Sequence, residues 1–209
     1  MSQDVKPTRS EELRLKDRIE MAEDGHDILE KKRDGLIHEF MQVIGDARDV
    51  NEDLAELYGE AREKLLLAKI YDGEEAIKAN SMNIESEIFL STDQQNIMGV
   101  VVPKIESIDV RKDILDREYG ITSTSSRIDS TADKHEELLE KIVEAAETQT
   151  KILKLLDEIE KTKRRVNALE HKTIPEMKDA LDYVSQTLEE NEREETFRMK
   201  KIKEMQEER

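Results

Sequence analysis

A chain of 209 residues that is 41% charged and 3% aromatic, with no tryptophan, has too little bulky apolar material for a large globular core. Its 51 acidic against 34 basic side chains leave a net charge of −17, which disfavours a general affinity for nucleic acid or anionic lipid. The absence of cysteine excludes disulfides, thiolate metal ligands and cysteine nucleophiles, and no run of apolar residues is long enough to insert directly into a membrane.

The first element is a long helix. Pro7 precedes Thr8, and Thr8 with Glu11 has the S/T-x-x-E spacing of a capping box. From Leu15 onward a seam residue recurs every four, then three positions: Leu15, Ile19, Ala22, His26, Leu29, Arg33, Leu36, Phe40, Val43, Ala47, Val50, Leu54, Leu57 and Ala61. This is a heptad repeat, and a helix carrying it cannot bury its stripe alone. The spacing predicts a coiled-coil helix over residues 1–70.

Residues 71–130 lose the heptads. Asn96-Ile97-Met98-Gly99-Val100-Val101-Val102-Pro103 reads as a short β segment with a glycine bend and a proline stop, and Ile84, Ile88, Phe89 and Leu90 are available as an apolar patch beneath it. Tyr119 to Ser126 is a hydroxyl-rich linker. The region is expected to be a small α+β tip with one β-hairpin, built on Ile97, Gly99, Val100, Val102 and Pro103.

Residues 131–209 resume the pattern. An S-x-x-D signal at Ser130–Asp133 precedes a second seam of Leu138, Ile142, Ala145, Gln149, Ile152, Leu156 and Ile159. Two terminal helices separated by a tip close most simply as an antiparallel hairpin, so the fold class is all-α dominated. The expected architecture is a long antiparallel two-helix coiled coil formed by the N- and C-terminal helices, with a short β-hairpin in its small central tip. Opposed seam residues should have numbers adding to about 200, as antiparallel pairing requires. Pattern breaks at Thr162 and Thr173, with Pro175 beside the second, predict a kink and one shared bend opposite the polar seam residues His26 and Arg33. The stems of His26 and Arg33 are expected in the seam, with their polar ends partnered by the opposite arm and His26 satisfying backbone groups freed at the kink.

Several segments together resemble the D subunit of the archaeal and vacuolar-type rotary ATPases. Lys6-Pro7-Thr8-Arg9, Gly25-His26-Asp27-Ile28-Leu29 and Lys31-Lys32-Arg33-Asp34-Gly35-Leu36 are similar to that family's N-terminal signature. Asn96 to Pro103 resembles its central N-x-x-G-V-x-V-P stretch. Arg164 to Glu170, Ile174-Pro175, and Glu192 to Lys203 resemble its C-terminal signature. The resemblance spans essentially the whole chain and implies a non-catalytic rotor: the central stalk of an A/V-type ATP synthase, coupling ion translocation through a membrane ring to ATP synthesis or hydrolysis in the catalytic head. It further implies a hexameric head of A and B subunits, the F subunit as a stalk partner, a coupling C subunit above the membrane ring, and a peripheral place on the cytoplasmic face of the cell membrane.

The charged clusters are assigned within that frame. Arg198, Lys200, Lys201 and Lys203 are either complements of a helix C-terminal dipole or contacts for acidic loops of the head. Lys161, Lys163, Arg164 and Arg165 are either a solvated face or a contact for the F subunit. No phosphate loop of the form G-x-x-x-x-G-K-[ST] is present, His26, His38, His135 and His171 lack i, i+4 spacing, and adjacent acids such as Glu136 and Glu137 point to different faces. No cofactor, metal or catalytic residue is therefore expected. Two other classes fit the pattern, a prefoldin-like coiled-coil chaperone and a plain structural coiled-coil spacer.

Overall fold

The computed structural model describes residues 6–82, 89–108, 110–112 and 124–207. In chain order the elements are α1 (Arg9–Asp72), α2 (Glu74–Met82), β1 (Phe89–Ile97), β2 (Val100–Ile108), α3 (Ser126–Ala168), a π-helical turn (Leu169–Thr173) and α4 (Ile174–Glu207). The long N-terminal helix packs against the long C-terminal helices, and β1 and β2 form a small antiparallel hairpin. The chain divides into two compact units: residues up to Gly35 with those from Ile159 onward, and Leu36–Glu158.

In the first unit, α1 opens on Thr8, whose Oγ1 accepts the Glu11 N–H at 3.2 Å. The carboxylate of Glu11 reaches Arg14 at 3.6 Å. Leu15 and Ile19 are buried, and Leu15 packs in a cluster with Ala180 and Val184, flanked by Leu181 and Leu188. Burying such a side chain contributes about 1.5–3 kcal/mol. Ion pairs from Arg9 to Glu192 and from Glu23 to Lys178 (2.7 Å) flank the seam.

The second unit repeats the arrangement with Leu36, Val43, Ala47, Ala61 and Ala68 buried on α1 and Ile128, Leu138 and Leu155 buried on α3. Its flanking pairs are Asp53 with Lys141 (3.3 Å), Glu60 with Lys134 (2.8 Å) and Asp72 with Arg127 (3.6 Å). In both units the paired residue numbers add to about 200, and one falls as the other rises, which is antiparallel pairing. All fourteen α1 seam positions from Leu15 to Ala61 are buried or half-buried.

The α3 seam differs from the sequence expectation. Ile142, Gln149 and Leu156 are exposed, while Thr148 is half-buried and Leu155 fully buried. Neighbouring pairs such as Leu155-Leu156 are equally apolar, so hydrophobicity alone does not choose between two heptad phases one residue apart. Burial selects Ile152, Leu155, Ile159, Thr162 and Val166, an unbroken 3-4-3-4 run, so no pattern break occurs at Thr162. The helix also starts earlier than Ser130, at Ser126. The Ser125 carbonyl accepts the Ile128 N–H at 2.9 Å, its hydroxyl donates to Asp72 at 2.8 Å, and Arg127 lies over the Tyr71 ring at 4.5 Å.

Gly73, at φ +86°, ends α1 in a conformation that only glycine adopts without strain. The hairpin turns on Met98 and Gly99 at φ 50° and 87°, with the Asn96 side chain accepting the Gly99 N–H at 2.7 Å. Its strands run nine residues each, so Pro103 does not stop β2. Pro103 faces Gln94 at a position whose N–H points away from β1, so the ladder loses no bond. Val100 and Val102 are buried; Ile84 and Ile88, and residues 119–123 of the linker, lie outside the described residues.

Two measurements check this packing. Leu155→Ala should destabilise the chain by about 2–5 kcal/mol, whereas Leu156→Ala should stay within about 0.5 kcal/mol, both read by denaturant unfolding. Lys134, donating to Glu60, is the first cause holding that carboxyl below its ordinary range. A depressed carboxyl contributes stability that is present above its unfolded pKa and lost as pH falls through the folded one. Lys134→Met should therefore move the Glu60 titration upward in carboxyl NMR, and an unmoved titration would contradict the pairing.

Candidate functional site

The α3 residues left out of the seam form a second heptad stripe. Ile142, Ala146, Gln149, Leu153 and Leu156 follow 4-3-4-3 spacing, and all are exposed. Opposite Leu153 and Leu156, α1 presents Ile37, Met41 and Ile44 outside its own seam, with Met41 63% and Leu153 59% exposed. On α1 each of these follows a seam residue by one position, as Leu153 and Leu156 do on α3. In an antiparallel pair of right-handed helices that one-residue step turns both stripes to the same side. The result is a composite apolar face crossing both helices of the second unit.

Beside the Ile142–Gln149 part of the α3 stripe lies a groove of about 430 Å³, walled by Ala47, Asn51 and Leu54 of α1 and by Ala145, Ala146 and Gln149 of α3. Small side chains at the closest approach leave space instead of filling it. Arg48 stands at the edge of this face, exposed and with no carboxylate partner among the described residues. An apolar, heptad-spaced groove with one cation at its margin is suited to an amphipathic helix carrying an acid.

A second exposed region is the end of α4. Glu192 makes the last ion pair to α1, through Arg9, and α4 continues to Glu207. Phe197, Met199, Ile202 and Met205 are exposed along it, Phe197 at 76%. Arg193 and Arg198 pair with Glu189 and Glu194 of their own helix, whereas Lys200, Lys201 and Lys203 have no ion-pair partner among the described residues. The last described turn of α4 holds no basic residue and includes Glu204 and Glu207, so these lysines do not sit where the helix dipole rewards a cation.

The structure does not gather the other expected groups into one patch. Lys161, Arg164 and Arg165, at i, i+3 and i+4, share one exposed face of α3, Lys163 lies on another, and Arg164 pairs with Glu160 at 3.7 Å. Arg33 is half-buried, but its partners are Asp34 (2.8 Å) and Glu30 (3.2 Å) on its own helix, not the opposite arm. His26 binds Asp27 through Nδ1 at 3.2 Å, while its buried Nε2 has no hydrogen-bond partner, so it does not satisfy freed backbone groups. Among the described residues His26, Asp27 and Glu30 each bring one ligand atom within 4.8 Å of the others, but both carboxylates are exposed and Glu30 already holds Arg33. β2 is tied to α3 through the Ile105 N–H, which donates to Glu147 at 2.7 Å, and beyond β2 Arg111 pairs with Glu140 at 2.9 Å. No described helix is long and apolar enough to cross a membrane.

Residues 11–204, which include the composite face, the hairpin and the three lysines, match the family model for the ATP synthase D subunit. The chain belongs to that family. It is 52% identical over 203 residues to the D subunit of the A-type ATP synthase of Haloarcula marismortui, covering 97% of this chain and 88% of that protein. Identity is 50% over 201 residues to the D subunit of the Methanosarcina mazei A-type ATP synthase, with 96% of each chain covered, and 50% over 202 residues to that of Methanococcoides burtonii, covering 97% and 98%. As a D-subunit sequence, the chain carries its second apolar stripe in the doublets Ile152-Leu153 and Leu155-Leu156. Two leucine-type residues in succession on an otherwise single-stripe helix are the signal that one of them serves another surface.

Proposed function

We propose that this chain is the non-catalytic central shaft of an A-type ATP synthase. It couples ion translocation through a membrane ring mechanically to ATP synthesis or hydrolysis in a head of A and B subunits, working at the cytoplasmic face of the membrane. The observation that carries this reading is the end of α4: a helix that continues past its last ion pair to α1, with apolar residues and three uncompensated lysines exposed, in a chain of the D-subunit family. In the shaft reading that end enters the head. Turning it changes which head interface its side chains contact, and so shifts the population of closed, nucleotide-holding sites. The exposed Leu66 and Ile70 near the other end of α1 are assigned to the C subunit above the ring.

The composite face of α1 and α3, whose exposed apolar residues recur at the heptad spacing a helix requires, is the preferred seat of the F subunit. Family membership gives no support to the prefoldin-like or spacer readings.

Coexpression with A and B subunits should yield one copy of this chain per hexamer. Lys200→Ala, Lys201→Ala and Lys203→Ala together should weaken that association in low salt and lose most of their effect at high salt, since the Debye length shrinks from about 10 Å at 0.1 M to about 3 Å at 1 M. Equal binding of wild type and variant at every salt concentration would remove these lysines from the head contact. Leu153→Glu should leave the unfolding midpoint of the isolated chain nearly unchanged and reduce retention of the F subunit in pull-downs at least about tenfold, the scale of losing roughly 1.4 kcal/mol at an interface anchor. Full retention would move the F subunit to another face.

A further inference from the structure

The π turn at Leu169–Thr173 holds two seam registers in one sequence. In the observed register, Val166, Leu169, Ile174 and Met177 face α1 with steps of three, five and three, and the Ile174 N–H bonds to the Leu169 carbonyl five residues back. A continuous α-helix between the same two ends would step four, three and four, through Val166, Glu170, Thr173 and Met177. Both registers join the seam below to the seam above; they differ in the two side chains between. The π turn places Leu169 and Ile174 inward, half-buried, and turns Glu170 and Thr173 outward.

Pro175 favours the observed register. In an uninterrupted α-helix its ring would press on the His171 carbonyl, and it has no N–H to give that carbonyl; the wider π turn relieves the contact. The α register has its own support in His26. The Nε2 of His26 is buried without a hydrogen-bond partner and lies 4.0 Å from the Glu170 carboxylate, which now stands largely in solvent. Were Glu170 drawn into the seam, it would close on that nitrogen. A buried orphan on one arm thus matches the residue that the other register would bring inward.

We infer that residues 169–175 form a two-register joint: π when Leu169 and Ile174 fill the seam, α when Glu170 enters it to pair with His26. Passage between the registers turns the helix that follows by part of a turn. The device depends only on this unit's own residues and not on the shaft reading.

The absence of native cysteine allows a direct test. Ala22 faces this turn, bracketed by the His26–Glu170 and Glu23–Lys178 contacts. Cysteine pairs at Ala22 and Ile174, and at Ala22 and Thr173, report the π and α registers respectively. In the otherwise unchanged chain the first pair should oxidise at least about fivefold faster than the second, and Pro175→Ala should reduce that ratio at least about fivefold. Glu170→Leu with Thr173→Leu, which makes the α register apolar while retaining Pro175, should shift it in the same direction. Circular dichroism confirms that each variant keeps its helices. A ratio unchanged by both sets of substitutions overturns the joint. In the Pro175→Ala background, Glu170→Ala should return the ratio toward its original value, and a failure to return overturns the part given to His26.

Discussion

Burial of one narrow stripe per helix is the constraint on which everything else depends. A two-helix pair has no interior beyond that stripe, so fully buried side chains are few and mostly of modest size: Leu36, Leu155, Val166 and Val184 do the packing that a globular protein spreads over dozens of residues. Each helix consequently presents most of its circumference to solvent or to partners. The many Glu and Lys residues that make the chain so charged occupy that circumference, and the ion pairs between arms, being largely exposed, contribute register more than energy.

How far the sequence discloses this structure depends on how unequal the competing phases are. On α1 the phase one residue on from the seam is polar from Lys16 to Asp34 and apolar only over the short stretch Ile37, Met41 and Ile44, so the seam from Leu15 to Ala61 is legible. On α3 the doublets Ile152-Leu153 and Leu155-Leu156 make two phases nearly equal in hydrophobicity, and only the facing helix decides between them. The same tie conceals the composite face, because its residues look like seam residues. Pro175 announces an irregularity but not its kind: a proline in a helix can kink it or be absorbed by a π turn, and the choice rests on whether Leu169 and Ile174 are inward together. The hairpin extends further than its valine run suggests because Ser91, Asp93 and Gln95 bond to β2 through their backbones regardless of side chain.

Electrostatics separates the two ends of the functional reading. The three lysines near the end of α4 sit on a chain of net charge −17 and make no ion pair among the described residues. Lys134 and Lys141 contrast with them, each held above the ordinary lysine range by carboxylates, Glu60 first for Lys134 and Glu144 first for Lys141. Positive charge that is spent inside the pair fixes register, and positive charge left over is available to a partner.

The outward edge of β2 has a consequence for solubility. A two-stranded ribbon has two open edges, each able to recruit a strand from another molecule. On β2 one of the outward-facing positions is Pro103, which has no N–H, and another is Ile105, whose N–H is already held by Glu147. A strand approaching that side would find one donor missing and the next one occupied beside a negative charge. The β2 side of the hairpin is thereby made unfavourable to edge-to-edge growth by one proline and one carboxylate of α3.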